Sequence, residues 1–215
     1  MNRQAFTDAK HSYQNLIQIL NKTLSIYNEN VPEDKQINPR GFAIKFDILL
    51  QHSLINIAIS DANMFADELV LINQITDAGD IVLYFKDAYK TEITWEQLYK
   101  MPPAQLDNML KEQEENMRYI ADDFVRVVAV VDAALEEHDI TRMLFNEICT
   151  VVKILMGLDG EIKEDADKVN NSFIIHLFNE ISSRKDDIIK NCSSESKEEE
   201  CSSQSLEDIF NKKKR

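Results

Sequence analysis

The chain has 215 residues, enough for one helical domain with a real core. Apolar residues make up 44%, and only four Gly and four Pro leave little punctuation for a many-stranded sheet, so an all-α fold is expected. The formal net charge is −14; a body this acidic disfavours nucleic-acid phosphates and anionic lipid and suits cations or basic protein surfaces.

The pattern predicts a first amphipathic helix from Gln4 to about Asn28, with Phe6, Tyr13, Leu16, Leu20, Leu24 and Tyr27 on one face. Asn30 to Arg40 holds Pro32 and Pro39 and reads as a connector. Gly41 to Ser60 forms the next helix, and after an acidic turn Asp67 to about Asp77 forms another. Asp80 to Tyr89 is ambiguous between a short helix and an extended segment. Thr94-Trp-Glu-Gln97 fits a capping box, in which a hydroxyl and an amide satisfy free N–H groups at a helix start. Pro103 suits the first turn of the longest helix, which runs to about Glu137. Ile140 to Leu158 follows, with Asp139 as the expected cap, and Glu164 to Ile181 closes the body.

From about Ser182 the chain is rich in Ser, Glu and Lys and is read as disordered. Arg184 onward holds eight basic and eight acidic residues, so the whole charge excess precedes it. One apolar pattern interrupts this tail, Ser205-Leu-Glu-Asp-Ile-Phe210, followed by Lys212-Lys-Lys-Arg215. The expected organisation is an N-terminal helix and connector over 1–40, a helical domain over 41–181 and a polar tail over 182–215. The most apolar stretch is read as Phe124 to Leu135, which is too short to span a membrane and carries Arg126 and Asp132. No secretory signal is expected at the N-terminus, and three cysteines, Cys149, Cys192 and Cys201, fit a reducing compartment.

One motif occurs twice. Asp61-Ala-Asn-Met-Phe-Ala-Asp-Glu68 lies between two helical stretches, and Asp159-Gly-Glu-Ile-Lys-Glu-Asp-Ala166 lies between two others. The body therefore reads as two pseudo-symmetric helix–acidic turn–helix units. Asp61 and Asp159 fall at helix C-termini, where a carboxylate opposes the dipole and asks for compensation from backbone N–H groups or a cation. Glu68 falls in a first helical turn, where negative charge is favoured and a partial capping role is available.

These residues resemble the TerB-like (tellurite-resistance TerB) family, marked by an apolar helix running into Asp-Gly-x-Ile with a glutamate seven residues after the aspartate. The likeness covers roughly Phe42 to Ile181. The first unit has Asp61 and Glu68 but Ala62 in place of glycine; the second has Asp159, Gly160 and Ile162 but Ala166 in place of glutamate, with Asp165 and Asp167 flanking it. The resemblance implies a bacterial cytoplasmic domain tied to tellurite and other stress responses, placed near the membrane or beside chaperone-like modules, with acidic residues suspected of binding metal. The candidate metal set is Asp61, Glu68, Asp159 and Asp165, and the ion suited to such oxygen ligands is calcium or magnesium. An EF-hand loop is excluded, because its glycine and glutamate places hold Glu164 and Asn170 after Asp159, and Ala66 and Ile72 after Asp61.

The four histidines show no His-x-x-x-His or Glu-x-x-His spacing, and no phosphate-cradling loop or nucleophile motif is present, so no enzyme is expected. Two non-enzymatic classes stand: a stress-linked module that works by protein interaction and a divalent cation at the acidic turns, and a metal-independent acidic scaffold or co-chaperone-like adaptor for a basic partner. A small helical hydrolase is a distant third.

Overall fold

A computed structural model describes residues 3–60, 66–77, 94–135, 138–157 and 173–195. Among these residues the regular structure is helical and no strand occurs. The helices are α1 (Arg3–Glu29), α2 (Pro39–Ser60), α3 (Ala66–Ile75), α4 (Trp95–Tyr99), α5 (Pro103–Ala134), α6 (Ile140–Met156) and α7 (Phe173–Glu195), with a short 3-10 turn at Glu33–Lys35 between the first two. The chain is all-α.

The long helices other than α2 bury the stripe their spacing defines. Tyr13, Leu16, Leu20, Leu24 and Tyr27 of α1 pack along α6, whose Ile140, Leu144, Ile148, Val151 and Leu155 form the facing row. The N-terminal helix therefore belongs to the same core as the body. α5 packs against α2 on one side and α7 on the other. The centre is α2, which touches α1, α3, α5, α6 and α7. Its apolar residues run around the whole helix rather than along one stripe, as burial on several sides requires. Phe124 of α5 joins it by stacking on Phe42 and Phe46, at centroid separations of 5.7 and 5.3 Å. Truncating a ring held this way opens a cavity costing about 3–5 kcal/mol.

Among the described residues the stretch Glu33–Ile59 is apolar and long enough to cross a membrane, with a mean hydropathy of 1.4. It is 72% buried inside the protein, as expected for a central core helix.

Local signals hold at α4, where Thr94 Oγ1 accepts from the Gln97 N–H and the Gln97 side chain accepts from the Thr94 N–H, completing the capping box. Two readings need correction. The last helix does not stop near Ser182 but continues to Glu195, because Lys185 reaches back to α5 and Ile188 packs against the core. Asp139 does not cap α6: it sits at the N-cap position in a left-handed conformation (φ 43°, ψ 55°), and its side chain makes no capping bond. The oxygens that cap α6 come from Asp132, two residues before the end of α5.

Candidate functional site

Of the four acidic residues expected at a cation site, Glu68 lies among the described residues and Asp61, Asp159 and Asp165 lie outside them. Glu68 stands in the first turn of α3 and is 2% exposed, so its carboxylate faces the protein rather than solvent. Among the described residues no group of three or more His, Cys, Asp or Glu side chains is gathered as metal ligands.

Three other charged constellations come from residues the motif did not include. The first joins α1, α2 and the end of α3. Asp47 of α2 is buried, and the Tyr13 hydroxyl lies between it and Asp77, 3.2 Å from Asp77 Oδ2. The Asp77 backbone N–H also donates to Asp47, yet Asp47 Oδ1 has no hydrogen-bond donor. Burial, with Asp77 nearby, pushes the Asp47 carboxyl up to about 6 against the bonds from Tyr13 and the Asp77 backbone that favour its charge. Lys10 Nζ donates to the Gln74 carbonyl at 2.9 Å and so brings a cation to the C-terminus of α3. Further along α2, His52 is fully buried, and burial lowers its imidazole to about 4, so it is neutral at pH 7.

The second constellation centres on Asp132, which has no exposed surface. It accepts from the Ile140 N–H (2.8 Å), the Thr141 N–H (3.3 Å) and the Thr141 hydroxyl (2.5 Å), and from Lys185 Nζ of α7 at 3.0 Å. One carboxylate thus ties the ends or flanks of three helices. Asp132, Thr141 and Lys185 also line a hollow of about 390 Å³ with Phe145 and Phe178.

The third is a cleft of about 770 Å³ between the α1–α2 connector, the first turns of α2 and the middle of α5. Asn28 makes one wall rigid: its side chain donates to the Ile37 carbonyl and accepts from the Ile37 N–H, both at 2.8 Å. Asn38 Oδ1 accepts from the Gly41 N–H at the start of α2. Tyr27, Phe42, Val127 and Val130 supply the apolar surface. At the rim, Asp123 accepts from Lys45 Nζ (2.6 Å) and from an Arg126 guanidinium nitrogen (2.7 Å). Partial burial works against the Asp123 charge, but these two bonds outweigh it and hold the carboxyl below its usual range. Asp123 therefore positions two cations at one edge of a half-apolar hollow, a form suited to holding an anionic group with an apolar body.

Sequence signals for these sites existed but were weak. Asp132 stands out as an acid inside an apolar helical stretch, and Asp47 likewise interrupts the apolar run of α2. Nothing local marks their partners, which come from other helices.

No protein-family model, curated protein or solved structure matches the chain.

Proposed function

We infer that the chain is a non-enzymatic, TerB-like interaction module whose acidic inter-helix segments receive a basic protein surface. One observation carries this reading, the distribution of charge. The described helices and caps, residues 3–60, 66–77, 94–135, 138–157 and 173–195, hold 22 acidic and 15 basic residues, a net of −7. The segments that connect them, 61–65, 78–93, 136–137 and 158–172, hold 11 acidic and 4 basic residues, also −7, in far fewer positions. Segment 158–172 alone contributes Asp159, Glu161, Glu164, Asp165 and Asp167 against Lys163 and Lys168. Within the helices the carboxylates Asp123 and Asp132 are taken up in holding side chains and caps. Negative charge concentrated between helices steers a basic surface there.

A lysine-rich peptide titrated calorimetrically into the full chain tests this. Binding should weaken steeply as salt is raised from 50 to about 300 mM, the Debye length falling well below 10 Å, and Asp159→Asn with Asp165→Asn should weaken it further. Binding indifferent to both changes would remove the reading.

A second reading, a divalent cation at the acidic motif, is favoured by Glu68, whose carboxylate is buried in the first turn of α3 and follows segment 61–65 closely in the chain. It predicts a higher melting temperature in millimolar calcium or magnesium, abolished by Asp61→Asn. An unchanged melting temperature in both ions eliminates it.

A further inference from the structure

The cleft beside Lys45 is not part of the acidic turns, and its chemistry is the reverse of theirs. Its lining carries Lys35, Lys45 and Arg126 against Asp34 and Asp123, a positive spot on a chain of net charge −14. The apolar surface does not end at its mouth. Among the described residues the exposed large apolar side chains are Ile44, 54% exposed, and Tyr119, 74% exposed. Ile44 neighbours Lys45 in α2, and the Tyr119 ring lies 5.8 Å from Lys45 Nζ. The Tyr119 ring therefore sets exposed apolar surface beside a cation that lines the cleft, and Ile44 stands next to that cation in the chain, the pairing of apolar and charged surface that an interaction site uses. Its occupant should pair carboxylates with large apolar side chains.

The chain contains such a segment outside the described residues, Leu206-Glu-Asp-Ile-Phe210. We propose that it docks in this cleft in cis, with Glu207 and Asp208 facing Lys45, Arg126 and Lys35, and with Leu206, Ile209 and Phe210 covering Ile44, Tyr119 and the apolar floor. Reach permits it. Arg184 of α7 is bonded to Asp122 of α5 at 2.6 Å, and the next residue, Asp123, lines the cleft. From Arg184 the helix runs on to Glu195, a rise of roughly 16 Å at 1.5 Å per residue. The residues from Glu195 to Leu206 can extend to about 36 Å. That exceeds the return along α7 plus the roughly 10 Å width of a helix. Tethering raises the effective concentration of the segment to the order of millimolar, so even a weak contact is well populated. This docking goes beyond the acidic-turn reading and stands or falls separately from it, since it concerns a different surface.

A nitroxide placed on Cys201 of the full chain, with Cys149→Ala and Cys192→Ser, reads the contact by paramagnetic broadening of backbone amides. The expected result is loss of intensity across residues 34–45 and 119–130, abolished by Ile209→Ser with Phe210→Ser, changes that leave the helical body untouched. Glu207→Lys with Asp208→Lys should also abolish it, and Lys45→Glu with Arg126→Glu in that same chain should restore it. Faint uniform broadening, broadening centred elsewhere, or broadening that passes only between nitroxide-bearing and separately isotope-labelled chains overturns the proposal.

Discussion

At the scale of single residues, α2 carries two buried titratable groups shifted in opposite senses. Asp47 is raised to about 6 from an ordinary 3.8, so the folded protein holds a proton that the unfolded chain releases between those values. Its stabilising contribution is complete below about 4 and is lost as pH rises through 6. His52 is lowered to about 4 from 6.5, so the unfolded chain binds a proton the folded one refuses. Its contribution is present above 6.5 and is lost as pH falls toward 4. The two nearly cancel between pH 4 and 6. Asp47→Asn should therefore raise the urea midpoint at pH 7, by the equivalent of about 1–2 kcal/mol, and should expose a steep loss of stability on acidification. A variant with unchanged stability at pH 7 and the wild-type pH profile would show that the Asp47 carboxyl is not held out of water.

At the scale of elements, long helices were readable from their periodicity and ends were readable only where the signal was local. Thr94 and Gln97 lie three residues apart, so the capping box of α4 is written in a short window. The start of α6 is different. Asp139 has the right residue type at the right place, but its left-handed backbone turns its side chain away from the helix N–H groups, and Asp132 supplies the cap through a turn of the fold. The same carboxylate explains why α7 outruns the boundary that its polar composition suggests, since Lys185 has a buried partner on another helix. Asp132→Ala should cost about 2–4 kcal/mol, by orphaning two backbone N–H groups and breaking a buried ion pair. Asp139→Gly should change stability by no more than about 0.5 kcal/mol, because it loses an exposed contact to Arg142 and relieves a positive φ. Denaturant titration of both variants checks the assignment, which fails if Asp139→Gly is the more damaging change.

At the scale of the molecule, the all-α class followed from composition because so few Gly and Pro leave helices as the economical way to bury 44% apolar residues. The candidate site was less legible. The acidic turns were visible as a repeat, but Glu68 is buried, and the cleft is built from a connector, one end of α2 and the middle of α5, positions no local motif links. Charge tells the same story at a coarser grain, with the inter-helix segments as negative as all the described helices together. The most direct test of the acidic-turn account is a chemical-shift map of the full chain titrated with a lysine-rich peptide. The account predicts the largest shifts in residues 61–65 and 158–172 with the helical core unmoved; shifts confined to the cleft around Lys45, or none at all, would contradict it.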